Sequence, residues 1–126
     1  MARVLIVDDD PNVRIVIQQI MTRWEHEVFS ACSGFDALRI LKKQPVDLLI
    51  TDIVMPYMTG VKLIDEIRKL HPKIKILAIS GGGPRYNANT CLELAREHGA
   101  DRWLMKPVTM DALSAVTNEL LAAPPL

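Results

Sequence analysis

Five short runs of branched apolar residues recur along the chain, each followed by a stretch whose apolar residues return every three or four positions. That alternation constrains the fold more than any other feature. The runs are Val4-Leu5-Ile6-Val7, a weaker one from Glu27 to Ala31, Leu48-Leu49-Ile50-Thr51, Ile74 to Ile79, and Arg102 to Met105. The first is apolar throughout, as a strand covered on both faces requires. Alternating strands and helices with short connections argue a parallel sheet with helices on both sides.

The helical stretches carry their own signals. Asp10 and Pro11 suit the cap and first turn of a helix whose stripe is Val13, Val16, Ile17, Ile20 and Trp24. Ser33-Gly34 opens a second helix with Leu38 and Leu41 inward, ending near Gln44-Pro45. Met55-Pro56-Tyr57-Met58-Thr59-Gly60 reads as a loop. A third helix then turns Val61, Leu63, Ile64, Ile67 and Leu70 inward and halts at His71-Pro72. The glycine-rich loop Gly81-Gly82-Gly83-Pro84 precedes a fourth helix from about Tyr86 to His98, with Gly99 as its C-cap. The last helix, Met110 to Ala122, buries Leu113, Val116, Leu120 and Leu121, and Ala123 to Leu126 is expected to fray.

At 126 residues, 49% of them apolar, the chain suits one domain spanning 1–126 with a real core. Lys plus Arg number 15, as do Asp plus Glu, so there is no basic field to hold nucleic acid, and direct DNA binding is not expected. No apolar run approaches a membrane span, and the N-terminus lacks a signal peptide's pattern, so a cytoplasmic location is expected. Cys32 and Cys91 have no metal-ligand spacing and read as buried thiols of a reducing compartment.

In parallel sheets of this kind, ligands bind beyond the carboxyl ends of the strands. The residues closing the strands are Asp8, Asp9 and Asp10 after the first, Asp52 after the third, Ser80 after the fourth and Lys106 after the fifth. Carboxylates crowded together raise one another's pKa unless a cation shares the site. A Mg²⁺ held by two or three carboxylates answers that need and suits phosphoryl transfer. Aspartate is a known covalent acceptor, while the Lys106 ammonium and the Ser80 hydroxyl suit phosphoryl oxygens. Asp10 reads better as a helix cap, and His26, His71 and His98 as helix-end residues.

These residues resemble the receiver domain of two-component response regulators, in particular a stand-alone, chemotaxis-regulator-like receiver. The resemblance runs from Val4 to about Leu121. It rests on Val7-Asp8-Asp9 with Arg14 beyond, Asp52-Ile53-Val54-Met55-Pro56 with Gly60 following, Ser80, and Lys106-Pro107. It implies a flavodoxin-like five-stranded sheet of order 2-1-3-4-5 with five helices. Asp52 then matches the phosphoacceptor, Asp9 the direct magnesium ligand, and Asp8 the acid that holds the ion mainly through water. The backbone carbonyl of Val54 matches a further metal contact. Lys106 matches the phosphoryl-contacting lysine, Pro107 a cis proline, and Ser80 the switch hydroxyl, with the Gly81 amide close by. The implied donor is a sensor histidine kinase or phosphotransfer protein. The implied output surface is the face of the fourth helix, fifth strand and fifth helix.

Such a receiver is not an enzyme in the ordinary sense, since it catalyses only its own phosphorylation and dephosphorylation. Three positions depart from the family pattern: Trp103 in place of Tyr or Phe, the glycine-rich Gly81–Pro84 loop, and Tyr57-Met58-Thr59 where an acid is common. A flavin carrier is disfavoured because Asp8-Asp9-Asp10 would repel a flavin phosphate. A dinucleotide enzyme lacks Gly-x-Gly-x-x-Gly after the first strand. An aspartyl-phosphate phosphohydrolase would place a second Asp where Val54 stands. The remaining alternative is a degenerate receiver that binds partners without being phosphorylated.

Overall fold

The computed structural model describes residues 2–81 and 87–122. The strands are β1 (Arg3–Val7), β2 (Glu27–Ala31), β3 (Leu48–Asp52), β4 (Lys75–Ser80) and β5 (Arg102–Met105). The helices are α1 (Pro11–Arg23), α2 (Gly34–Lys43), α3 (Gly60–Leu70), α4 (Ala88–His98) and α5 (Met110–Ala122). All strand pairings are parallel, in the order β2-β1-β3-β4-β5. The expected flavodoxin-like fold is the observed one. The expected Gly82–Pro84 loop, the helix start near Tyr86 and the frayed tail lie outside the described residues.

Alternation within each strand divides the core into two layers. Leu5, Val7, Leu49, Ile76 and Ala78 pack with α2, α3 and α4, through Leu41, Leu63, Ile64, Ile67 and Leu92. Val4, Ile6, Leu48, Ile50, Leu77 and Ile79 face the other way, onto Ile17 and Met21 of α1 and Leu113 and Val116 of α5. Every residue of β3 is buried because it is the central strand with helices on both faces.

The helix starts follow their cap residues. Asp10 accepts from the Asn12 amide, Ser33 from Asp36, Thr59 from Lys62 and Asn87 from Thr90. Gly99 ends α4 at φ 120°, where a Cβ would stand 2.9 Å from Cγ of Arg68. Arg68 in turn ties the end of α3 to the neighbouring loops, donating to the carbonyls of Gly99, Pro72 and Ile74 and to Asp101.

Four expectations about burial need correction. Val16 is 51% exposed because it borders an open groove instead of the core. Trp24 is 50% exposed because it is the C-cap of α1, one residue past the end of the helix. Leu70 ends α3 and faces solvent. Cys32 is exposed, since it follows β2 and precedes the cap of α2, whereas Cys91 is buried as expected. Among the described residues, no helix is long and apolar enough to cross a membrane.

Candidate functional site

Because all five strands run the same way, their carboxyl ends share one edge, and the acidic residues meet there. Asp8 directly follows β1 and is fully buried; Asp52 ends β3 and is nearly so; Asp9 is exposed. One carboxylate oxygen from each of Asp8, Asp9 and Asp52 lies within 4.8 Å of the others. Lys106, just beyond β5, reaches this cluster with its Nζ 3.1 Å from Asp8 Oδ2 and 3.3 Å from Asp52 Oδ2.

Backbone amides hold the carboxylates in place. The Asp10 amide donates to Asp8 Oδ1 at 2.9 Å, and the Ile53 amide donates to Asp52 Oδ1 at 2.8 Å. Arg14 Nη1 donates to the Asp8 carbonyl at 2.6 Å and so steadies the β1–α1 turn. In the sequence Arg14 is a motif residue without an evident task. Its place one turn into a helix that follows the acidic pair was the available signal.

The β3–α3 connection is pinned to Asp52 by its glycine. The Gly60 amide donates to the Ile53 carbonyl at 2.8 Å. A Cβ on Gly60 would overlap the Asp52 carbonyl oxygen and come within 2.7 Å of Ile53 Cα. Val54 lies in this loop, half-buried. Ser80 is fully buried at the end of β4, and its carbonyl accepts from the Lys106 amide at 3.0 Å. Gly81 borders the Lys106 stem, so a Cβ there would stand 3.5 Å from that lysine's Cβ. The Lys106–Pro107 peptide is cis, as the resemblance implied.

Electrostatics follow from this crowding. Burial, together with the nearby Asp8 charge, pushes Asp52 up to about 6, although Lys106 and the Ile53 amide pull the other way. Burial pushes Lys106 down, but the charges of Asp52 and Asp8 and its hydrogen bonds to both outweigh that and leave it above the usual lysine value. Three carboxylates share one ammonium, so negative charge is in excess. The donors are oxygens, which fits a hard divalent cation such as Mg²⁺.

Two further features lie at or near this edge. Lys106 and Pro107 form one wall of an apolar groove of about 490 Å³, with Val13, Val16, Ile17 and Ile20 of α1 opposite. On β5, Trp103 is exposed together with Met105, which sets the indole outside the core. The histidines lie at helix ends as expected: His71 caps α3, His26 precedes β2, and His98 ends α4 with Nδ1 2.7 Å from Asp65.

Residues 4–118 match the family model for the response regulator receiver domain. The transcriptional regulatory protein GlrR of Escherichia coli (strain K12) is 33% identical over 120 residues, covering 95% of this chain and 26% of that protein. This chain therefore spans about a quarter of the length of that relative. Among solved structures, a response regulator receiver domain protein from Clostridium thermocellum superposes with a TM-score of 0.87 at 29% identity, covering 97% of this chain and 95% of that one. The chemotaxis protein CheY4 of Vibrio cholerae gives a TM-score of 0.85 at 27% identity, covering 95% and 98%.

Proposed function

The chain belongs to the response regulator receiver domain family, and from that premise we propose that it accepts a phosphoryl group on Asp52 from a phosphohistidine and then switches its partner-binding face. The donor is a sensor histidine kinase or a phosphotransfer protein. One observation carries the reading. The Asp52 carboxylate lies against Lys106 while standing in a cluster with Asp8 and Asp9, at the edge where the strands end.

In the transfer, an Asp52 oxygen forms the new P–O bond as the P–N bond to the donor imidazole breaks. The electron pair of the broken bond returns to the ring nitrogen. Asp52 must be ionised to attack, and a pKa near 6 leaves it mostly so at neutral pH. The Ile53 amide holds one Asp52 oxygen, which fixes the direction of the other. Lys106 neutralises phosphoryl charge as it arrives, and Ser80 and the Gly81 amide donate to the remaining oxygens. Asp9, Asp8, Asp52 and the Val54 carbonyl would hold a Mg²⁺ ion, which when bound supplies neutralisation of the carboxylates and the phosphoryl oxygens.

The groove beside Lys106 offers a donor protein an apolar seat next to the reacting edge. The downstream partner reads the α4–β5–α5 face, where Trp103 and Met105 are exposed. The chain acts as a cytoplasmic phosphoprotein whose balanced charge offers no field for DNA, and it catalyses only its own phosphorylation and dephosphorylation.

Incubation with acetyl phosphate and Mg²⁺ tests the reading. The wild-type chain is expected to gain one acid-labile phosphate and Asp52→Asn none. Undiminished labelling of Asp52→Asn would overturn the assignment.

A further inference from the structure

Tyr57 combines three features from which its own ring gains no packing. The residue is 96% exposed, so the ring gains almost nothing from the fold. Its backbone lies at φ 69°, a region that bulky side chains rarely adopt. The Met58 amide donates to the Pro56 carbonyl at 2.8 Å, which makes Tyr57 the centre of a classic γ-turn, a rare and strained form. The only other non-glycine at positive φ among the described residues is Glu25, and ordinary helix termination accounts for it. There the His26 amide returns to the Met21 carbonyl at the end of α1.

The loop is anchored on both sides of the ring. Met55 and Met58 are buried, and Met58 packs so closely on Gly34 of α2 that a Cβ there would meet its Cγ at 2.9 Å. Gly60 closes the loop against the Asp52 backbone. Tyr57 is therefore held outward by its neighbours, in a conformation a glycine would adopt more easily. Phe35, next to Gly34, puts a second exposed aromatic on the adjoining segment.

Position links the ring to the reaction. Three residues span at most roughly 11 Å, so the Tyr57 Cα lies within that distance of Gly60, which touches Asp52. A protein that buries about 800 Å² on one partner covers a disc of roughly 16 Å radius. A contact of that size centred on Asp52 reaches Tyr57. A small phosphodonor does not.

We propose that Tyr57 is a positioning and specificity residue for the protein phosphodonor, an aromatic anchor that the donor's surface buries on the rim of the phosphorylation site. The proposal rests on the phosphoryl-acceptor reading above. Tyrosine suits the task, because exposed aromatics with few rotatable bonds dominate interface energetics.

The test compares two donors on the same variants. Acetyl phosphate with Mg²⁺ is the small donor; the protein donor is the fastest among the source organism's complete set of autophosphorylated histidine kinases. Tyr57→Ala and Tyr57→Gly are expected to take phosphate from acetyl phosphate at the wild-type rate. With the kinase, their KM is expected to rise about tenfold while kcat holds. Tyr57→Phe keeps the ring and should restore most of the affinity. Tyr57→Gly should also melt higher than wild type, which separates relief of strain from loss of docking.

Wild-type KM for the kinase in Tyr57→Ala and Tyr57→Gly would overturn the proposal. So would equal loss with both donors, or a wild type labelled by acetyl phosphate but by no kinase. A change in the mass of wild type against Tyr57→Ala by light scattering would reassign the ring to self-association and overturn it too. A wild type that acetyl phosphate does not label would overturn the phosphoryl-acceptor reading itself.

Discussion

The Lys106 ammonium stands 3.3 Å from the Asp52 carboxylate while also 3.1 Å from Asp8, so one cation is divided between two buried acids. Burial and the Asp8 charge raise the Asp52 pKa to about 6, and the shared lysine offsets only part of that rise. One ammonium between these acids leaves net negative charge for a second cation to balance.

Lys106→Ala removes the ammonium in contact with both acids. Charge-assisted hydrogen bonds of this kind are worth about 1.5–3 kcal/mol, which corresponds to roughly 10- to 150-fold in rate. The initial rate of labelling by acetyl phosphate at saturating Mg²⁺ should fall within that range. An unchanged rate would show that Lys106 balances charge at rest without contacting the phosphoryl group.

Asp52 links stability to pH when metal is chelated. Its pKa is about 6 in the folded chain and about 4 when unfolded. Between those values the folded state holds a proton that the unfolded state has lost, so stability falls as pH rises. The loss is complete above about pH 6. Asp52→Asn removes it, so the variant should be more stable than wild type at pH 7.5 by about 2 kcal/mol, with the gain fading towards pH 4. Denaturant melts in chelator at both ends of the range check this; a gain independent of pH would contradict it.

Metal affinity should depend most on the exposed acid. Asp9 offers an oxygen within 4.8 Å of those from Asp8 and Asp52, yet its removal disturbs little of the core. Mg²⁺ should raise the melting temperature of wild type by mass action, and Asp9→Ala should remove most of that rise while leaving the metal-free melting temperature unchanged. Thermal melts across a Mg²⁺ titration decide the matter.

Gly60 and Gly34 both lack room for a methyl group, but their neighbours differ. At Gly60 the obstacle is the Asp52 and Ile53 backbone; at Gly34 it is the flexible Met58 side chain. Gly60→Ala should cost about 2–4 kcal/mol and slow phosphorylation, because α3 cannot start without displacing Asp52. Gly34→Ala should cost less, and Met58→Ala should offset part of the loss. Chemical denaturation of the single and double variants measures both effects.

Much of this protein was legible in its sequence because the signals are local. Runs such as Val4–Val7 and Leu48–Thr51 declare buried parallel strands by themselves, and Asp10, Ser33 and Thr59 each cap the helix that follows. Parallel strands share an edge, so Asp8, Asp52, Ser80 and Lys106 were bound to gather at the strand ends. Tertiary structure decided what depends on residues far apart in the chain. Only three-dimensional packing shows that Lys106 is shared between Asp8 and Asp52, 98 and 54 positions away. Periodicity put Val16, Trp24 and Leu70 inside, but a helix's apolar stripe is wider than the surface its neighbours cover. The loop sequence around Tyr57 signals a turn; the positive φ and the outward ring exist because Met58 is drawn under α2 and Gly60 against Asp52. Local composition sets which conformations a segment can take, and contacts between distant segments select among them, even at the expense of strain.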